Sequence, residues 1–262
     1  MVAELISVGT EILLGNIVNT NAAYLAEKCA LLGLSLYHQS VVGDNEARME
    51  DTIRRALERS DVVILTGGLG PTKDDLTKEV TAKVFKKALC EDAHTKERIM
   101  EFFQKIHNGE KITENNWKQA LIPEGAIIVE NQNGTAPGLI VIGDEGSGYE
   151  GKRAILIPGP PNECIPMFET QIAPYLSDLQ PEGIYSSMVK VCAIGESRAE
   201  TMVADLMDAQ TNPTLAPYAK TGEVHFRVTA KAKDEESARC LMAPMLEELK
   251  KRFGDHIYTT KE

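Results

Sequence analysis

The sequence predicts an α/β chain: a three-layer domain built on a mostly parallel sheet, followed by a small α+β domain. Apolar runs of strand length alternate with helical stripes through the first 65 residues. A glycine-rich turn, Thr66–Asp75, joins the third of those strands to a helix. Beyond a polar, turn-rich break at Ser177–Gly183, the run Glu223–Lys233 alternates apolar and polar residues strictly. The first pattern calls for parallel strands with right-handed helical crossovers, the last for a sheet with one buried and one wet face. The domains expected are therefore 1–177 and 183–262.

Val2–Val8 reads as the first strand and ends in Gly9-Thr10-Glu11. A helix from about Asn21 to Gly33 carries Ala22, Leu25, Ala26, Cys29 and Leu32 as its stripe, with Gly33 able to end it. Leu34–Val42 is the second strand. After Gly43-Asp44-Asn45 a helix presents Met49, Ile53, Ala56 and Leu57 on one face, and Val62–Leu65 is the third strand. From Thr77 to about Gln119 the pattern is helical, and Phe102, Phe103, Ile106 and Trp117 are expected in the core. Ala126–Val129 and Leu139–Ile142 suggest a hairpin at the sheet edge, and Arg153–Ile157 a further strand leading through Pro158–Glu163 into a helix to about Leu176. In the second domain, Ile184–Ile194 reads as a strand and Glu196–Met207 as a helix. After the alternating strand, a last helix is capped by Asp234 and kinked by Pro244. His225, Arg227 and Thr229 form its strand's polar row, expected to be solvated.

In an open parallel sheet, ligands bind beyond the carboxyl ends of the strands. Thr10 and Glu11 follow strand one, Asp44 follows strand two and the glycine loop follows strand three, so residues distant in sequence should share that edge. Glycines 67, 68 and 70 permit positive φ and close approach, and free amides at the following helix start suit an anion. Lys73, Asp74 and Asp75 add groups able to hold a phosphate and a divalent cation together. The competing reading is purely local: Thr72 and Asp75 as a capping pair, Asp44 as a cap for the helix at Glu46, and Asn19 or Asn21 as a cap for the first helix.

The 262 residues are 43% hydrophobic and 26% charged, ordinary for a globular protein with a sizeable core. The net charge of −11, and 11 Lys+Arg against 14 Asp+Glu in 178–262, argue against nucleic-acid binding. No apolar run approaches the ~20 residues of a membrane span, and no leader pattern precedes Val2, so a cytoplasmic location is expected. Five scattered cysteines indicate neither disulfides nor a zinc site, and the five histidines show no ligand spacing.

Gly9–Asn21, Val42–Asn45, Thr66–Asp75, Thr113–Asn116, Asn133–Gly138, Pro158–Glu163 and Thr211–Thr214 together closely resemble the CinA family of competence/damage-inducible proteins, in order and along the whole chain. The resemblance implies a MoaB/MogA-like domain followed by a KH-like domain. It also implies divalent-metal-dependent hydrolysis of ADP-ribose to AMP and ribose 5-phosphate, and a homodimer. Many members carry a further domain that deamidates nicotinamide mononucleotide; no residue of this chain matches it, so that activity is not expected here.

On this basis the Gly67, Gly68, Leu69, Gly70 and Thr72 backbone is expected to cradle a phosphate, with Lys73 offsetting charge on its oxygens. Asp44 with Asp74 or Asp75 would hold Mg²⁺, Mn²⁺ or Co²⁺. Thr10, Glu11, Asn16 and Asn19 are placed to meet ribose or base, and the turns carrying Asn133, Gly134, Thr135, Gly159 and Pro160 to close the pocket. Two other functions remain open: molybdopterin-related adenylyl transfer, and a nucleotide-sensing or assembly module for a separate deamidase.

Overall fold

The computed structural model describes residues 1–106, 112–180, 183–220 and 222–260. The chain divides into two compact units, one of residues 1–30 with 34–176, the other of 31–33 with 177–262. The break expected at 177–183 includes Pro181 and Glu182, and the helical stretch expected through Gln119 includes 107–111; these lie outside the described residues.

The first unit begins with β1 (Val2–Val8), a short α1 (Thr10–Leu13) and α2 (Thr20–Leu31). Next come β2 (Ser35–Val42), α3 (Glu46–Arg59), β3 (Val62–Thr66) and α4 (Thr77–Val84). Then follow β4 (Leu89–Glu91), α5 (Ala93–Ile106), a 3₁₀ helix over Glu114–Ala120, β5 (Leu121–Pro123), β6 (Ile127–Val129), β7 (Gly138–Ile142) and β8 (Arg153–Ile157). It closes with α6 (Pro161–Met167), a π-type turn over Phe168–Ile172 and α7 (Ala173–Leu179).

The main sheet has the order β2-β1-β3-β8-β7-β6. β1 pairs in parallel with β2 and β3, and β3 with β8, while β7 and β6 are antiparallel additions at the edge. Met49, Ile53, Val80 and Val84 of α3 and α4 pack with Val63, Leu65 and Leu156 over one face. The alternate residues Leu5, Ile64 and Ile155 are also fully buried and face the opposite way. A right-handed crossover places α2 on that opposite face, the arrangement of a three-layer domain. Glu4, fully buried in the central strand, is held by two Arg59 donors at 2.7 and 2.9 Å, the pairing that a carboxylate at that depth requires.

Two expectations are corrected here. The helical reading of Thr77–Gln119 is interrupted: Lys86 adopts φ +56, ending the α4 turn, and β4 then pairs antiparallel with β5. A strand of three residues carries too little period to register against the helices on either side. Asp44 does not cap α3; Asn45 does, its side chain accepting from Arg48 N–H at 3.1 Å.

The second unit contains β9 (Gly183–Cys192), α8 (Glu196–Thr201), α9 (Ala204–Asp208), β10 (Thr214–Lys220), β11 (Glu223–Ala232), α10 (Glu235–Phe253) and β12 (Ile257–Thr259). Its antiparallel sheet runs β10-β11-β9-β12 and buries Val189, Val224, Phe226 and Val228 against Ala238, Leu249 and Phe253 of α10. Asp234 caps α10 by accepting from Ser237 N–H at 2.7 Å. The helix expected over Glu196–Met207 is two helices, because Val203 takes a non-helical backbone between them. His225 is buried rather than solvated: Glu223 lies 3.0 Å from its Nε2 and Tyr258 covers the pair. The strand carrying Tyr258, at the chain's end, has no sequence pattern long enough to announce it.

Candidate functional site

Because β2, β1, β3 and β8 are parallel, the segments after all four leave the sheet at the same edge, and antiparallel β7 enters from it. Gly9–Leu13, Gly43-Asp44, Gly67–Asp75, Pro158–Glu163 and Asn131–Pro137 therefore converge by topology. They enclose a cavity of about 780 Å³, large enough for a nucleotide-sized ligand.

The glycine loop is fixed by close packing. Gly67 has φ +98, and a Cβ there would lie 2.3 Å from the Val8 carbonyl oxygen, so only glycine lets the loop run this close to β1. Gly67 N–H bonds Ile157 O, and Thr77 closes the turn on Gly67 O and Gly68 O. The amides of Gly68, Leu69 and Gly70 have no hydrogen-bond acceptor among the described residues. The 3₁₀ helix braces the loop from behind. Lys118 Nζ donates to Thr72 O at 2.9 Å and to Asp75 O, Asn115 Nδ2 reaches Pro71 O at 3.4 Å, and Gln119 Nε2 reaches Leu69 O at 3.5 Å. These donors occupy carbonyls of Leu69, Pro71, Thr72 and Asp75, while Gly68, Leu69 and Gly70 themselves line the cavity.

Five carboxylate residues line the cavity, Glu11, Asp44, Asp74, Asp75 and Glu163, and among the described residues no lysine, arginine or histidine does. Asp44 Oδ2 takes hydrogen bonds from Thr10 N–H (2.9 Å) and Oγ1 (2.7 Å), and Asp75 Oδ2 from Thr72 N–H (2.9 Å) and Oγ1 (2.6 Å). Each aspartate thus has one oxygen fixed and, among the described residues, Oδ1 unengaged. The Thr72–Asp75 pair forms as a local turn, but α4 begins only at Thr77.

Asn19 lines the cavity with its amide on Ser7 Oγ at 2.8 Å and also accepts from Ala22 N–H, so it braces α2 as well. Gly67, Gly68, Leu69, Gly70, Asn133, Gly134, Thr135, Gly159 and Pro160 are on the wall. Thr10, Asn16, Thr72 and Lys73 are not among the lining residues. Thr10 and Thr72 act through their aspartates, whereas Lys73 is exposed and supplies no charge to the wall.

Several cavity residues were outside the sequence-based site. Phe102 and Phe103, expected in the core, line the cavity from α5 and are only partly buried. Asn21 bonds Gly159 O at 2.7 Å and ties α2 to the Pro158–Pro161 turn. Glu163, at the start of α6, accepts from Asn131 Nδ2 at 2.6 Å, and burial raises its carboxyl above the usual range against that hydrogen bond. Lys78, buried behind the loop, donates to Lys118 O, and burial lowers its ammonium to about 8.

Residues 4–178 match the family model for a probable molybdopterin binding domain, and residues 186–259 that for the KH domain of the damage-inducible protein CinA. A relative from Clostridium beijerinckii is 49% identical over 100% of this chain and 62% of its own length. A CinA-like protein of Dictyoglomus turgidum is 51% identical over 98% of this chain and 61% of its own. The chain thus spans about three fifths of the curated relatives it matches. The crystal structure of the protein CinA from Thermoplasma acidophilum is 37% identical with a TM-score of 0.56, covering 65% of this chain and 95% of that one. With a probable molybdopterin binding domain followed by the CinA KH domain, and relatives near half identity along its full length, this chain belongs to the CinA family.

Proposed function

We propose that the cavity binds ADP-ribose together with a divalent cation and hydrolyses its pyrophosphate, giving AMP and ribose 5-phosphate. The observation that carries this reading is the pairing, among the described residues, of unpartnered amides at Gly68, Leu69 and Gly70 with a wall of five carboxylates and no cationic side chain. The amides suit phosphate oxygens. The carboxylates repel the same anion unless a cation comes between them.

The chain's residues fit such a cation. Asp44 and Asp75 each offer a free carboxylate oxygen on a side chain held in place by a threonine. Among the described residues no three His, Cys, Asp or Glu side chains gather as a preformed metal site. One or two carboxylates, with phosphate oxygens and water completing the shell, is how Mg²⁺ is commonly held in phosphoryl-transfer sites. Bound there, Mg²⁺, Mn²⁺ or Co²⁺ would neutralise phosphate charge and make water more acidic. The glycine-loop amides would orient the pyrophosphate, and Phe102 with Phe103 would shield the reacting end from water.

The test is incubation of the chain with ADP-ribose and each metal, with EDTA controls, following AMP and ribose 5-phosphate by chromatography. Metal-dependent AMP that Asp75→Asn abolishes is the expected result. Bound but intact ADP-ribose under every metal would replace the hydrolase with a nucleotide-sensing module.

A further inference from the structure

We propose that Glu163 is the general base of this cavity, taking the proton of the water that attacks the pyrophosphate; this rests on the hydrolase reading above. Glu163 differs from the other four carboxylates of the wall in what surrounds it. Asp44 and Asp75 are bound by their threonines, and Glu11 and Asp74 are exposed. Glu163 is half-buried and lies in no ion pair among the described residues, so no cation holds it permanently charged.

One of its oxygens is oriented and the other, among the described residues, has no hydrogen bond. Oε2 accepts from Asn131 Nδ2 at 2.6 Å. Asn131, 6% exposed, is itself fixed: its amide also donates to Ala136 O at 2.8 Å, and its Oδ1 accepts from Asn133 N–H at 3.0 Å. Gly134 passes so close that a Cβ on it would lie 2.1 Å from Oε2, so the backbone walls the carboxylate on that side. An orienting amide, a fixed oxygen and a free oxygen on the cavity wall reproduce the base-and-orienter arrangement of hydrolytic sites.

Among the described residues no cationic side chain pairs with Glu163. The nearest titratable neighbour in sequence, Cys164, is buried and its thiol is pushed up to about 12, so it stays neutral. Arg98 of α5 donates to the Asn131 carbonyl at 3.2 Å and to Gln132 Oε1 at 3.4 Å, and its charge is engaged by Glu130 and Glu101. Among the described residues, the other charges facing the cavity are Glu11, Asp44, Asp74 and Asp75. Burial raises the Glu163 carboxyl from its ordinary value, toward the operating pH at which a base transfers protons most effectively. In the step itself, a water oxygen bonds to phosphorus as its proton passes to Oε1. The bond from that phosphorus to the bridging oxygen breaks, its electron pair leaves with the departing phosphate, and Glu163 returns its proton to solvent.

The experiment compares wild type, E163Q and E163D for ADP-ribose turnover between pH 5 and 9 at saturating metal, with ADP-ribose affinity measured by calorimetry. E163Q keeps an acceptor for Asn131. It is expected to bind within about threefold of wild type, to lose at least ~100-fold in kcat and to lose the acidic fall-off of the pH profile. E163D, its carboxylate withdrawn by one methylene, is expected to retain that fall-off with a kcat about tenfold lower, and it decides the matter if E163Q does not fold. Turnover by E163Q within threefold of wild type, or an unchanged acidic limb, overturns the assignment while leaving the hydrolase intact. Loss of ADP-ribose affinity in E163Q with kcat unchanged makes Glu163 a binding residue and overturns it as well. Wild type that binds ADP-ribose without cleaving it under any metal overturns both readings together.

Discussion

Asp44 and Thr10 are joined three times: one carboxylate oxygen, Oδ2, accepts from both the N–H and the Oγ1 of Thr10, at 2.9 and 2.7 Å, and Asp44 N–H donates back to Thr10 Oγ1 at 3.3 Å. The pair staples the segment after β2 to the segment after β1 and, among the described residues, leaves the other Asp44 oxygen without a hydrogen bond. Thr10→Val removes the hydroxyl and keeps the shape. The variant is expected to lose about 1 kcal/mol in urea unfolding. Its ADP-ribose turnover is expected to fall roughly tenfold as Asp44 gains freedom, while Thr10→Ser stays near wild type in both assays.

The glycine loop provides a sharper steric contrast. Gly67 and Gly146 both have positive φ, +98 and +79, but a Cβ meets the Val8 carbonyl at the first and open space at the second. Gly146→Ala is expected to cost about 1 kcal/mol from backbone strain alone. Gly67→Ala adds an overlap that neither strand backbone can relieve and is expected to cost about 3 kcal/mol or more. Parallel thermal melts decide it, and equal melting temperatures for the two variants would remove the packing argument for Gly67.

The parallel half of the first unit was legible because the buried strands β1 and β3 and the edge strand β2 are separated by helices with clear stripes, and parallel pairing then dictates a shared ligand edge. That logic located Asp44, Asp75 and the glycine loop without any side-chain geometry. It missed the members of the wall that are chosen by contact rather than by pattern. Phe102 and Phe103 have the spacing of core residues, and only tertiary packing turns them toward a cavity. Glu163 sits in a turn that the sequence does flag, yet its partner Asn131 is 32 residues away and lies outside every periodic element. Lys73 shows the reverse error. Its place beside the glycines suggests phosphate contact, but the folded loop leaves its side chain exposed and outside the cavity lining.

Lys118 takes the structural part that Lys73 does not. Its ammonium holds the carbonyls of Thr72 and Asp75, with Glu79 at 3.7 Å, and so braces the loop from outside the cavity. Lys118→Met keeps the stem that packs against the loop and removes the donors. ADP-ribose KM is expected to rise about tenfold, with kcat reduced less, since the lost bonds shape the phosphate cradle before chemistry begins. A kcat that falls alone, at unchanged KM, would mean that Lys118 acts in the transition state instead.

Lys78 gives a prediction whose sign follows from burial alone. At 5% exposure its ammonium is lowered to about 8 in the folded chain, while an unfolded lysine titrates near 10.4. Between those values the unfolded chain binds the additional proton, so this residue makes unfolding costlier as pH rises, the opposite of an ion-paired lysine. Below pH 8 the charged side chain is carried at a desolvation cost on the order of 3 kcal/mol, eased by Glu79 and by its bond to the Lys118 carbonyl. Subtracting the unfolding free energy of Lys78→Met from that of wild type at each pH isolates the term from every other titrating group. The difference is expected to climb between about pH 8 and 10.5 and to be flat below it. A flat difference throughout would mean that water or a carboxylate reaches Lys78 in solution, and that the wall behind the glycine loop is looser than its packing indicates.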